Sequence, residues 1–189
     1  MTDEARSAAP DNRAPTQRVQ DIHDFVGPNA PKILERFLAI DPAMEDQLDT
    51  VGSRDRFRLQ RQIDRNLRGW NWVAFFLPYA WLLYRKLYLW ATAFLAIAVG
   101  FVVMFPDADA TFMGAAIAVT VAMYSYRFYY PHMKTKIAKA DALELTGAKR
   151  SAFLQTAGGV SIMGGVLGAA ITLLGVASIV LKFVAPGLV

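Results

Sequence analysis

The chain has 189 residues, 54% of them hydrophobic, with a formal net charge of +4 and no cysteine. So apolar a composition is unusual for a soluble domain. The missing thiols exclude disulfides, thiolate metal sites and iron–sulfur clusters.

Residues 1–18 mix Ala, Pro, Ser, Asp and Arg and read as a disordered tail. They lack the apolar core of a signal peptide, and without Gly at position 2 or any cysteine no lipidation motif is present. The first 69 residues hold eleven Arg/Lys and twelve Asp/Glu, whereas most apolar residues lie beyond them. Region 19–69 is therefore expected to be a polar helical unit. Within it Asn29 suits an N-cap and Pro31 the first turn of a helix, with Ile33, Leu34, Phe37 and Leu38 on one apolar face. Asp41-Pro42 ends that helix and opens the acidic run Glu45, Asp46 and Asp49; Gly52-Ser53 then offers a turn and cap.

Residues 54–68 form an amphipathic pattern. At 100° per residue Arg54, Arg58, Arg61, Arg65 and Arg68 fall within an arc of about 80°, opposite Leu59, Ile63 and Leu67. Three readings stand side by side. The helix packs on residues 31–40 with a solvated basic face, or lies against anionic lipid headgroups at about 1 kcal/mol per nearby cation, or meets nucleic-acid phosphates. No recognisable nucleic-acid fold accompanies the arginines, so nucleic acid is not the expected partner.

Residues 70–86 then pack Trp70, Trp72 and Trp81 around Pro78 and stop at Arg85-Lys86. Indole and phenol rings collect where hydrocarbon meets water, which marks Trp70, Trp72, Trp81, Tyr84, Arg85 and Lys86 as membrane-interface residues. The fifteen residues before Arg85 reach about 22 Å as a helix, short of a hydrocarbon core of about 30 Å. Pro78 interrupts even that length, so the segment is expected to be interfacial or re-entrant.

Asn71-Trp72, Ala74-Phe75-Phe76, Pro78 and Trp81-Leu82-Leu83-Tyr84-Arg85-Lys86 resemble the signature of a family of small bacterial membrane proteins, domain of unknown function 2628. Phe25-Val26-Gly27-Pro28-Asn29-Ala30 is similar to that family's N-terminal Val-Gly-x-Asn element. The likeness covers roughly residues 19–105. It implies a bacterial inner-membrane protein and assigns no activity.

A transmembrane region is expected over 87–181, with spans at 87–105, 111–126 and 157–181 and an outer tail at 182–189. The turn Pro106–Ala110 holds two Asp and no cation, whereas Arg127, Lys134, Lys136, Lys139, Lys149 and Arg150 lie in 127–150. The positive-inside rule then puts the N-terminus in the cytoplasm and the C-terminus in the periplasm, with Lys182 snorkelling outward. Burying Arg85 and Lys86 at mid-bilayer would cost about 2.5–3.5 kcal/mol each. The fold class expected is thus an all-α membrane protein with three transmembrane helices, one Trp-rich interfacial or re-entrant segment and a helical cytoplasmic N-terminal region.

The last span carries a small-residue face of Ala157, Ser161, Gly164, Gly168, Thr172 and Gly175, which lets another helix approach closely. Gly114, Ala118, Ala122 and Ser125 match it on the second span, and Ala93, Ala96 and Gly100 on the first. The stripe serves packing within the bundle or contact with another subunit, and the lack of catalytic groups favours a partner for part of it. Asp107 and Asp109 sit in a tight turn, His132 at a membrane exit, and Ser161 without a base, so no catalytic residue is assigned. With only His23 and His132 as imidazoles and no spaced carboxylate cluster, neither metal nor cofactor is expected. No ionisable group lines the three span cores. The functional expectation is a non-catalytic accessory, assembly or scaffolding component of a membrane complex, contacting lipid and other subunits or further copies. The runner-up is one subunit of an oligomeric channel or transporter.

Overall fold

The structure is a computed structural model that describes residues 15–27, 30–40, 52–106, 108 and 110–184, and every regular element among them is helical. Helix α1 covers Pro15–Val26, α2 Pro31–Leu38, α3 Ser53–Asn66, α4 Trp72–Phe76 and α5 Pro78–Tyr84. Then come α6 at Tyr88–Met104, α7 at Ala110–Ala142, α8 at Gly147–Ala157 and α9 at Ile162–Val184.

Local chemistry sets most of these boundaries. Gly27, at φ +81°, closes α1 with its N–H on the His23 carbonyl, a left-handed end that glycine reaches without a Cβ clash. Asn71 caps α4 by accepting from the Ala74 N–H. Pro78 lacks an N–H and pushes Leu77 out of the helical region, so the Trp-rich run breaks into α4 and α5. At the end of α5, the Leu87 N–H bonds the Leu82 carbonyl and the Lys86 N–H the Leu83 carbonyl, with Lys86 left-handed. That is a Schellman closure, sealed by buried Leu82 and Leu87. Glu144 closes α7 the same way, through Leu145 N–H to Ala140 O and Glu144 N–H to Asp141 O.

Two packing regions result. In the polar one, α1, α2, α8 and the C-terminal half of α7 enclose Ile22, Phe25, Phe37, Ile40, Tyr129, Met133 and Leu154. Arg150 on α8 holds both carboxylate oxygens of Asp21 on α1 at 2.7 Å, and also reaches Asp141 at 2.8 Å. In the apolar region, α4 and α5 form a hairpin between α7 and α9. The Asn71 N–H bonds the Ala122 carbonyl on α7 where the hairpin enters, and the Tyr84 carbonyl accepts from Ser161 at the start of α9 where it leaves.

Several expected boundaries move. The tail of 1–18 is shortened, because α1 starts at Pro15; residues 1–14 lie outside the described residues. So do Asn29, the acidic run at 41–51, Asp107, Asp109 and the tail from 185, while α2 is preceded by Ala30 without a side-chain cap. The basic helix runs Ser53–Asn66 instead of 54–68. The apolar run at 111–126 is only the first half of α7, a helix of 33 residues in all that runs on through Pro131 to Ala142. The run at 157–181 is not one helix. Gly158 packs on Phe25, and the Gly159 N–H, at φ +58°, bonds the Phe25 carbonyl, so α9 begins only at Ile162. Among the described residues one stretch, Gly147–Ser178, is long and apolar enough to cross a membrane; α6 is apolar but has 17 residues.

Candidate functional site

The residues expected to matter converge on the α4–α5 hairpin and its supports. α5 runs antiparallel to the start of α9, and two glycines of the small-residue stripe make that possible. A Cβ on Gly164 would stand 2.6 Å from the Leu83 carbonyl oxygen, and one on Gly168 would stand 2.5 Å from the Ala80 Cα. These are backbone atoms, so neither can yield cheaply. Ser161 belongs to the same seam: its Oγ accepts from the Gly164 N–H, and its own N–H bonds Tyr84. Thr172 returns its hydroxyl to the Gly168 carbonyl at 2.9 Å. Gly175 meets nothing within 4 Å. At Gly164 and Gly168 the stripe serves packing within the chain, because α5 fills that face.

The aromatic residues divide. Trp70 and Trp72 are exposed and stack with Phe75 and Phe76, the Trp70 and Phe75 rings lying 5.2 Å apart. Tyr84 and Lys86 are half-buried. Trp81 is 6% exposed and packs edge-on to Tyr129, and Arg85 is 8% exposed. Trp81 and Arg85 do not face outward as Trp70 and Trp72 do: helical period turns both inward, onto α7. The Arg85 guanidinium lies 5.3 Å from the Tyr129 ring centre and donates to the Val26 carbonyl at 3.2 Å. It thus sits on the carbonyl end of α1, the negative end of that helix. Among the described residues its Nε has no hydrogen-bond partner, nor do the Tyr129 hydroxyl and His132 Nε2.

Burial and local charge set the titration of this junction. Burial raises the Tyr129 phenol, an effect opposed by Arg85. It lowers the His132 imidazole, assisted by the cations Lys136 and Lys86. Lys86 is lowered by burial and by Lys136, and its ammonium donates to the Thr156 carbonyl at 2.7 Å. Hydrogen bonding to Asp21 raises the Arg150 guanidinium further above its usual range.

The basic face is exposed as drawn. Arg54, Arg58, Arg61, Arg65 and Arg68 all face solvent, while Ile63 and Leu67 are buried. The helix is held by Asp64 on Arg127, by Asn66 donating to the Ala39 carbonyl, and by Arg36 donating to the Asn66 and Arg68 carbonyls. Packing on α2 and a free basic face thus coexist. Among the described residues no group of three His, Cys, Asp or Glu could hold a metal.

Sequence reasoning missed two anchors. Asn71 ties the hairpin to α7, and besides capping α4 it donates to Ser125 Oγ at 3.4 Å. An Asn directly before an apolar helical run was a readable cap signal. Asp21 and Arg150 lie 129 positions apart and offer no local signal.

The family model described as "Protein of unknown function (DUF2628)" matches residues 38–135. The chain belongs to this family. The match contains α3, the hairpin, α6 and most of α7, and so both sides of the Asn71 and Trp81 contacts and the Arg85–Tyr129 pair, but not Val26, which accepts from Arg85. It reaches further along α7 than the expected 19–105 and leaves out the Phe25–Ala30 element. No curated protein and no solved structure matches the chain.

Proposed function

We propose that this DUF2628 member is a non-catalytic integral membrane protein, an accessory, assembly or scaffolding component of a larger complex at a bacterial inner membrane. In this reading α6, the first half of α7 and α9 cross the bilayer. The α4–α5 hairpin enters and leaves it on the cytoplasmic side. The polar helices and the basic face of α3 stand in the cytoplasm as the contact surface, and the C-terminus is periplasmic.

One observation carries the proposal: large apolar side chains point outward all along these three elements. Leu89 is 79% exposed on α6, Phe112 79% on α7 and Met163 82% on α9, with Val103, Met104 and Leu174 nearly as open. Each would gain about 1.5–3 kcal/mol by leaving water, and exposed apolar side chains clustered in this way favour contact with a membrane or a partner. Charge supports the orientation, because Arg127 to Arg150 and Arg85-Lys86 lie at the end where the hairpin opens.

Co-purification from native membranes with blue-native migration tests the role. The proposal expects a species well above 20.9 kDa containing other membrane subunits. A monomer in both mild detergent and native extracts would defeat it. A ring of identical copies would favour the channel or transporter subunit instead.

A further inference from the structure

Two cavities flank the α4 side of the hairpin, and their chemistries differ. The first, of about 430 Å³, is walled by Arg68, Gly69, Trp70, Met123, Tyr124 and Arg127. It contains two guanidiniums and no carboxylate. Asp64, the ion-pair partner of Arg127, lines the neighbouring cleft on the other side of that arginine. The second, of about 450 Å³, lies deeper, between the hairpin tip and α6, α7 and α9. Phe75, Pro78, Ile117 and Ile171 are typical of its walls, and its Thr172 hydroxyl is already spent on the Gly168 carbonyl. Its size falls in the range of about 300–1,000 Å³ usual for ligand pockets. Gly114 and Gly175 keep it open, since a Cβ on either would meet nothing within 4 Å.

The two cavities are neighbours, separated by a packed pair of rings. Trp70 lines the basic one and Phe75 the apolar one, and their rings are 5.2 Å apart. On α7, Tyr124 and Ile117 are two turns apart on one face, a rise of about 10 Å. A cationic recess edged by indole and phenol, next to an apolar slot two turns further along α7, complements one kind of molecule. We propose that this is a binding site for an anionic glycerophospholipid. The phosphate lies between Arg68 and Arg127, and one acyl chain passes Trp70 and Phe75 into the slot beneath the hairpin. The inference rests on the membrane reading above and goes beyond a basic helix lying near headgroups, because it specifies one retained lipid and the room for its chain.

The test uses the full chain, purified in mild detergent, delipidated, and titrated with phosphatidylglycerol, phosphatidylcholine or inorganic phosphate under native mass spectrometry. The site predicts one retained phosphatidylglycerol per chain, held at least about fivefold better than phosphatidylcholine, as one or two cations near an anionic group provide. Arg68→Gln should erase most of that preference while leaving the fold intact, because the side chain is exposed. Gly175→Leu fills the slot without a backbone clash and should cut retention of phosphatidylglycerol several-fold with unchanged thermal stability. Equal retention of both lipids overturns the headgroup site. Full displacement by inorganic phosphate, or unchanged binding in Gly175→Leu, overturns the acyl slot, and a second copy of the chain seated there instead of lipid overturns both. Failure of the membrane reading would show separately, as protein that stays soluble and monodisperse without detergent.

Discussion

The polar and apolar regions of this molecule bury their side chains by opposite rules. Around α1, α2, α8 and the end of α7, large apolar residues point inward, and even the charged pair Asp21–Arg150 is enclosed. Where α9 meets α5 the seam is glycine against backbone, and although Ile117 and Val121 of α7 are buried, many large side chains of α6, the first half of α7 and α9 point out. The first pattern is what water drives. The second fits the proposed membrane reading, in which lipid is as apolar as leucine and helices associate through close packing. The hairpin belongs to both: Trp81 and Arg85 face the polar core, while Pro78 and Phe75 line the apolar slot.

The largest effect should come from breaking the enclosed pair of the polar region. Arg150→Ala leaves Asp21 buried without its bidentate partner, which typically costs about 3–5 kcal/mol. Thermal unfolding in mild detergent should show that loss, and an unchanged midpoint would mean the polar region is not a water-driven core. Gly168→Leu attacks the other rule. It forces side-chain volume onto Ala80 backbone and should cost about 3 kcal/mol, at the upper end for an overpacked interior. Gly175→Leu, on the same helix face but in open space, should leave stability unchanged. Similar costs at both glycines would erase the distinction between a closed and an open half of α9.

How much of this was legible follows from the reach of each signal. Helical period marked the basic face of α3, and it marked Ile63 and Leu67 as its buried side, because both lie within one turn of their evidence. Composition marked the apolar runs, and Pro78 marked the break between α4 and α5. The same aromatic composition did not show that Trp81 and Arg85 turn inward. A ring or guanidinium at a membrane interface and one in a protein core look alike until the partner, here Tyr129, is known. The glycine stripe announced close approach but could not name the approaching backbone. The interruption at Gly158–Ser161 was hidden because it is fixed by Phe25 and Tyr84, both remote in sequence.

A smaller, pH-dependent effect sharpens the comparison at the junction. His132 packs beside Phe25 and is held below its ordinary range by burial, Lys136 and Lys86. The unfolded chain therefore takes up this proton near pH 6.5, and the folded chain only at lower pH. Stability should be full above pH 6.5, decline as pH falls from there towards the folded value, and level off below it. His132→Gln should flatten that part of the profile in unfolding measurements between pH 5 and 8. Persistence of the slope would place its source elsewhere.

The smallest expected change is a gain. Glu144 adopts φ +51° at the end of α7, where an L side chain is strained and an anion faces the helix's negative end. Glu144→Gly should raise stability by up to about 1 kcal/mol, less the entropy glycine adds to the unfolded chain. A loss on substitution would show that the glutamate side chain makes a contact worth more than the strain.

The most direct measurement for the whole account is single-cysteine accessibility in intact membrane vesicles of known orientation, made clean by the absence of native cysteines. Cysteine is introduced by Gln62→Cys on α3, Tyr88→Cys just after the hairpin, Lys149→Cys on α8 and Ala108→Cys between α6 and α7. The account predicts that a membrane-impermeant maleimide labels the first three from the cytoplasmic side and Ala108→Cys from the opposite side. Gln62→Cys and Tyr88→Cys labelling from opposite sides would make the hairpin a crossing, and labelling of all four from one side would remove the membrane-spanning reading altogether.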